Sequence, residues 1–213
     1  MNAALILSGG VGERYGADRP KQYTDILGRM AIEYVIDAAK AAKKINTVMV
    51  AGYDRPELDD LTKRYGLVRA AGGEKRNLTL KNGLDALSRL SCDKVVILDA
   101  VRPLVTGELI DRYIDLLDEY DAVSTVHSID DSLGCLDLHT VDRSRYYLMQ
   151  SPEGYRFREL YEKFDPDSAL TEVAQQLDES AKLCLYRDFP DNPKLTYPRD
   201  LKYITLALKE RGI

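Results

Sequence analysis

Ala3-Ala4-Leu5-Ile6-Leu7-Ser8-Gly9-Gly10-Val11-Gly12-Glu13-Arg14, continuing to Arg19-Pro20-Lys21-Gln22-Tyr23, is the stretch that decides the fold. A short apolar run that breaks into glycines reads as a buried strand entering a tight loop. Glycines there let backbone N–H groups approach phosphate oxygens with no Cβ in the way. Arg14 and Lys21 add two cations to that loop: arginine can grip phosphate oxygens bidentately, while lysine acts as a mobile point charge. Two familiar phosphate loops are excluded. No Gly-x-x-x-x-Gly-Lys-Ser/Thr string occurs, and Gly10-Val11-Gly12-Glu13-Arg14-Tyr15 lacks the third glycine of a dinucleotide fingerprint.

Outward from this stretch, helical and strand periodicities alternate. Helices are expected at Ala31–Lys43, Glu57–Tyr65, Asn77–Leu90, Thr106–Tyr120, Arg156–Phe164, Thr171–Glu179 and Arg199–Arg211, and strands at Asn46–Ala51, Lys94–Leu98, Ala122–His127 and Lys182–Arg187. Strand–helix alternation with short connections predicts an α/β fold with a mostly parallel sheet covered on both faces. Ligands of such sheets bind beyond the carboxyl ends of the strands. Gly9-Gly10 and Asp99 both stand at such ends, so one crevice should hold them. Ser128–Gln150 breaks the pattern: it is polar, lacks a helical period and reads as a two-stranded arm or a long loop. The chain as a whole reads as a single domain, 1–213.

Composition sets outer limits. The 213 residues carry a net charge of −5, which argues against a nucleic-acid surface. No apolar run reaches the roughly 20 residues of a membrane span, and no basic leader precedes the first strand, so a cytoplasmic protein is expected. Cys92, Cys135 and Cys184 are scattered and odd in number, which fits reduced thiols better than a zinc site. His127 and His139 have no supporting context, and the 14 tyrosines fit amphipathic packing.

The blocks together resemble the cytidylyltransferases that act on 2-C-methyl-D-erythritol 4-phosphate and on ribitol 5-phosphate. Gly10-Val11-Gly12-Glu13-Arg14 with Pro20-Lys21-Gln22-Tyr23 is similar to that family's signature loop. Gly72-Gly73-Glu74-Lys75-Arg76-Asn77-Leu78-Thr79, followed by Gly83-Leu84, resembles its cytosine-side loop and helix. Asp99-Ala100-Val101-Arg102-Pro103, Val141-Asp142-Arg143, Gln150-Ser151-Pro152, Thr171-Glu172 and Asn192-Pro193-Lys194-Leu195-Thr196 resemble further blocks in the family's order. The likeness covers nearly the whole chain.

The resemblance implies a three-layer, Rossmann-like nucleotidyltransferase fold of the GT-A-like kind with a protruding β-arm. It implies transfer of CMP from CTP to a small phosphorylated alcohol, with Mg²⁺ as cofactor. Gly9, Gly10 and Gly12 would cradle the triphosphate, while Arg14 and Lys21 would stabilise charge at the α-phosphorus. Gly73, Glu74 and Thr79 would surround the cytosine, and Asp99 would hold Mg²⁺. Lys194 would sit between the nucleotide and acceptor phosphates. Arg143, with Ser132 opposite, would grip the acceptor phosphate from the arm of a partner subunit, making Ser128–Gln150 a dimer arm. Arg102 and Ser151 complete the acceptor-side candidates.

The chemistry is consistent without a histidine or serine nucleophile. A phosphate oxygen is already nucleophilic, so the obstacle is bringing two anions together, and cations with good positioning answer that. Mg²⁺ commonly uses one or two carboxylates plus phosphate and water, so Asp99 can suffice. Each residue also has a plainer reading. Asp99 could cap the following loop, Arg102 could pair with a neighbouring acid, and Lys194 and Arg143 could be solvated.

The chain departs from the family pattern at Leu98 (commonly His), at Ser132-Leu133-Gly134 (commonly Thr-Ile-Lys) and at Glu153 (commonly Gln), which bears mainly on the acceptor. Val141-Asp142-Arg143 leans toward methylerythritol phosphate and Val101 toward ribitol phosphate. Another alditol phosphate, a phosphonate, or a nucleotide-binding module without catalysis are the other readings.

Overall fold

The structure, a computed structural model, describes residues 1–10, 15–16, 19–137, 140–170, 172–189 and 192–212. Its elements run β1 (Asn2–Ser8), β2 (Asp25–Ile26), β3 (Arg29–Met30), α1 (Ala31–Ala41), β4 (Thr47–Gly52), α2 (Pro56–Tyr65), β5 (Val68–Ala71), α3 (Arg76–Ser88), β6 (Lys94–Asp99), α4 (Gly107–Leu116), β7 (Ala122–His127), β8 (Leu148–Arg156), α5 (Phe157–Lys163), β9 (Leu183–Tyr186) and α6 (Asp200–Glu210). The main sheet has seven strands in the order β5-β4-β1-β6-β8-β7-β9. β1 pairs in parallel with β4 and β6, and β4 with β5. β8 runs antiparallel between β6 and β7, and β9 is parallel to β7. The expectation of a mostly parallel, two-sided sheet is met.

Side-chain alternation explains the layers. Ala4, Ile6, Val50, Val96 and Leu98 face one side and pack with Ile32 and Val35 of α1, Leu58 of α2 and Ile110 of α4. Ala3, Leu5, Leu7, Met49, Val95 and Ile97 face the other and pack with Leu80 and Leu84 of α3 and Leu160 of α5. Each fully buried leucine or isoleucine contributes about 1.5–3 kcal/mol, so β1 and β6 are rigid supports. Gly83 matters for one of these contacts: a Cβ there would lie 2.7 Å from Leu5 Cδ1, so glycine lets α3 settle onto β1.

The chain first builds β4 and β5 on one side of β1, then crosses to place β6 on the other. Ligand sites sit at such a reversal of strand order. Leu7 pairs with Asp99 in the parallel register, so the Ser8–Gly10 turn and Asp99 emerge at one edge.

Two expectations are corrected. Residues 128–147 hold no strand among the described residues, only a 3-10 turn at Arg143–Arg145, so the expected β-arm is a loop leading into β8. The helix expected at Thr171–Glu179 is only a 3-10 turn, Val173–Gln176. Glu172 accepts a hydrogen bond from Tyr147 Oη at 3.0 Å and another from Gln175 Nε2 at 3.1 Å, and Val173 is fully buried. Tertiary anchoring outweighs the local helix propensity there.

Candidate active site

The ends of β1 and β6, the loop before α3 and the loop before α6 enclose a cavity of about 470 Å³, within the range of small-ligand sites. Its lining includes Gly9, Gly10, Lys21, Glu74, Thr79, Asp99 and Lys194. These candidates, spread over the sequence from 9 to 194, converge on the crevice expected at the strand ends. Gly12 and Arg14 lie outside the described residues.

The glycine loop is held from below. Gln22 is buried and donates from Nε2 to Ser8 O at 3.0 Å and to Gly10 O at 2.9 Å. The Pro20-Lys21-Gln22 string therefore has a division of labour: Gln22 ties the loop to its own return, and Lys21 lines the cavity. No role had been assigned to Gln22 from sequence, although its motif was recognised.

The opposite wall is the start of α3. Thr79 Oγ1 accepts a hydrogen bond from Gly73 N at 3.0 Å and lies 3.2 Å from Gly73 O and 3.3 Å from Lys75 O. Thr79 thus folds the Gly73–Lys75 loop onto the helix. A Cβ at Gly9 would come within 2.4 Å of Thr79 Oγ1, so the two walls meet at a point only glycine fits. Gly73 contributes through its backbone, and Glu74 is exposed at the cavity rim.

Asp99 is the buried charge of the site, 8% exposed. Lys194 Nζ donates to Oδ2 at 2.8 Å, Arg102 Nε lies 3.5 Å from Oδ2, and Arg76 Nη2 lies 3.8 Å from Oδ1. Burial alone would raise its pKa, but Lys194, Arg76 and Arg102 together hold the carboxyl well below the usual carboxylate range. Arg76 also donates to Glu153 Oε1 at 2.8 Å, and Glu153 is only 1% exposed. Burial would lower the Arg76 pKa; Glu153 and Asp99 override it and raise it.

Lys194 sits on a loop fixed at several points. Leu195 N donates to Val101 O at 2.9 Å, and Asp200 Oδ2 accepts from Thr196 N at 2.8 Å and from Tyr197 N at 2.7 Å. Asn192 is clamped between Arg102 and the Ser151 carbonyl. The stretch from Asn192 to Asp200 is therefore fixed by contacts at both ends.

The acceptor-side candidates fall elsewhere. Arg102 is buried behind the cavity and donates to Gln150 Oε1 at 3.2 Å and to Asn192 O. Ser151 Oγ accepts from Asp99 N at 2.9 Å and lies 3.4 Å from Ile97 O, so its hydroxyl is committed within the sheet. Both hold Asp99 and the Lys194 loop in place. Ser132 and Arg143 are exposed and outside the cavity lining. Arg143 Nη1 donates to the carbonyls of Asp130 and Asp131, which brings it beside the Ser132 segment.

Sequence reasoning gave no role to Arg76 or Glu153. Arg76 was inside a recognised block, and Glu153 stood out as a departure; a charge at each of those positions was the available signal.

No group of three or more His, Cys, Asp or Glu able to hold a metal occurs among the described residues. A buried single carboxylate at the cavity edge nonetheless suits a Mg²⁺ ion that takes its remaining ligands from phosphate and water. No helix among the described residues is long and apolar enough to cross a membrane.

Comparison with known proteins follows the same lines. A family model described as 2-C-methyl-D-erythritol 4-phosphate cytidylyltransferase matches residues 2–210. A bifunctional enzyme IspD/IspF of Rhodospirillum rubrum is 32% identical over 99% of this chain and 58% of its own length. The D-ribitol-5-phosphate cytidylyltransferase of Homo sapiens is 30% identical over 98% of this chain and 52% of its own. The chain thus spans about half the length of these curated relatives. The crystal structure of 4-diphosphocytidyl-2C-methyl-D-erythritol synthase from Anaerococcus prevotii superposes with a TM-score of 0.82, at 22% identity and with 98% of each chain covered.

Proposed function

The chain belongs to the 2-C-methyl-D-erythritol 4-phosphate cytidylyltransferase family, and from that footing we propose that it transfers CMP from CTP to the phosphate of a small phosphorylated alcohol, releasing pyrophosphate. The observation that carries the reading is the convergence of the glycine turn, Lys21, Thr79, Asp99 and Lys194 on one cavity.

In this reading Gly9 and Gly10 receive the triphosphate, and Gly73, Glu74 and Thr79 face the base. An acceptor phosphate oxygen attacks the α-phosphorus; the bond to the β-phosphate bridging oxygen breaks, and pyrophosphate leaves. Lys21 and Arg14 stabilise the charge that builds at the α-phosphorus, which is the main demand of phosphoryl-type transfer. Lys194 lines the same cavity as Lys21 and offsets repulsion between the two phosphates. Asp99 would hold Mg²⁺, which supplies neutralising charge to the phosphates. The acceptor best supported is 2-C-methyl-D-erythritol 4-phosphate, on the family description and on Val141-Asp142-Arg143. Ribitol 5-phosphate is the second reading, favoured by Val101 in the Asp-Ala-Val-Arg-Pro string.

We also assign the 128–150 segment to a homodimer contact in which Ser132 and Arg143 reach the partner's acceptor site. Their exposure and their absence from the lining of the cavity support it. A cytoplasmic setting accords with the three free thiols. The test is turnover in Lys21→Ala and Arg14→Ala. Each should fall by orders of magnitude with an unchanged circular dichroism spectrum, and near-normal turnover in either would remove the mechanism.

A further inference from the structure

Two carboxylates share one face of the sheet. Glu153 of β8 pairs across from Ile97 of β6, and Asp99 lies two residues beyond Ile97, on the same side. Arg76, at the first turn of α3, comes down between them. It sits closer to Glu153, at 2.8 Å, than to Asp99, at 3.8 Å. Glu153 is locked in turn, since its other oxygen accepts from Tyr155 Oη at 2.7 Å and both residues are buried.

The consequence falls on the two oxygens of Asp99. Oδ2 takes Lys194 at 2.8 Å and has Arg102 Nε at 3.5 Å. Oδ1 has Arg76 at 3.8 Å, beyond hydrogen-bond reach. Among the described residues no side chain or backbone N–H hydrogen-bonds this oxygen, and a guanidinium stands about 1 Å short of doing so. What restrains the guanidinium is the second carboxylate, because a buried ion pair broken on one side strands the other charge.

We propose that Glu153 is a positioning residue of this site: it holds Arg76 off Asp99, and so leaves Asp99 Oδ1 open to the divalent cation that accompanies the nucleotide. This rests on the cytidylyltransferase reading. Among the described residues, a neutral side chain at 153 leaves Arg76 with Asp99 as its one ion-pair partner. The guanidinium then closes on Oδ1, and a cation has to displace a charge-assisted hydrogen bond to bind.

The test uses the full chain and two variants, Glu153→Gln and the double variant Glu153→Gln/Arg76→Gln. Mn²⁺ binding in the presence of CTP is followed by electron paramagnetic resonance, and the Mg²⁺ dependence of pyrophosphate release is measured alongside. In Glu153→Gln the Mn²⁺ half-saturation and the Mg²⁺ midpoint should rise about tenfold or more, the span expected for one charge-assisted hydrogen bond, while kcat at saturating Mg²⁺ changes far less. Removing Arg76 in the double variant should bring the half-saturation back to the wild-type value or below it.

Wild-type metal affinity in a folded Glu153→Gln protein overturns the proposal. So does a double variant whose half-saturation stays raised, since Glu153 would then act on the cation by its own charge. If Glu153→Gln does not fold, the double variant alone decides in the same terms. Wild type that binds no Mn²⁺ with CTP refutes the cytidylyltransferase reading instead, and is seen before either variant is made.

Discussion

Gly9 and Gly10 are adjacent in one loop, yet the structure separates them sharply. An alanine Cβ at position 9 would lie 2.4 Å from Thr79 Oγ1, 3.1 Å from Thr79 Cγ2 and 3.3 Å from Thr79 Cβ, whereas none of the described residues lies within 4 Å of a Cβ at position 10. Thr79 cannot simply turn away, because its hydroxyl holds the Gly73–Lys75 loop. Gly9→Ala must overpack this contact, at about 1–3 kcal/mol, and weaken the Thr79 hydrogen bonds, at about 1 kcal/mol. The sum is about 2–4 kcal/mol, or a fall of roughly 5–15 °C in Tm for a chain of this size. Gly10→Ala should stay within about 1 kcal/mol of wild type. Urea unfolding of both variants, with KM for CTP, measures the difference. The double variant Gly9→Ala/Thr79→Ala supplies the control, because removing the hydroxyl removes the clash and the two effects should fail to add. Equal stability of Gly9→Ala and Gly10→Ala, or full additivity in the double variant, would refute the reasoning.

Three further expectations rest on the buried charges and thiols. Arg76→Ala strands Glu153, 1% exposed, and should cost about 3–5 kcal/mol in urea unfolding; adding Glu153→Gln should recover part of that loss. Asp99 has a folded-state pKa below its unfolded value, so its contribution is full above the ordinary carboxylate range and is lost as pH falls toward the folded pKa. The stability gap between wild type and Asp99→Asn should therefore narrow steadily from about pH 5 downward, and a gap that does not change with pH contradicts the assignment. Burial pushes the Cys92 thiol up to about 12, while Cys135 is exposed. A thiol reagent at pH 8 should thus label Cys135 quickly and Cys92 only on unfolding, which mass spectrometry of labelled peptides reads directly.

How much of this was legible in the sequence follows from what each segment has to do. β1, β4 and β6 are continuous apolar runs because both faces of the sheet are covered, and they were readable at once. β5, Val68-Arg69-Ala70-Ala71, is four residues long at the sheet edge and carries an arginine that pairs outward with Asp54 and Asp59, so it has neither length nor alternation to announce it. β8 was hidden for a functional reason. Leu148-Met149-Gln150-Ser151-Pro152-Glu153 is too polar to read as a central strand, yet Gln150, Ser151 and Glu153 are occupied by Arg102, the Asp99 backbone and Arg76. The lining of the cavity was legible where residue type alone drew attention, as with the glycine turn, Lys21, Asp99 and Lys194. Gln22, Arg76, Asn192 and Glu153 were not legible, because each makes contacts that only the fold creates.

The central claim is tested most directly by pyrophosphate release from CTP and Mg²⁺ across a panel of acceptors: 2-C-methyl-D-erythritol 4-phosphate, ribitol 5-phosphate, other alditol phosphates and small phosphonates. Calorimetric CTP binding is measured on the same preparation. The account predicts release that depends on both CTP and a phosphorylated alcohol, strongest with methylerythritol phosphate. Silence across the panel with CTP bound would point to an acceptor outside the panel or to a nucleotide-binding module without turnover, and silence with no CTP binding would contradict the reading of the site itself.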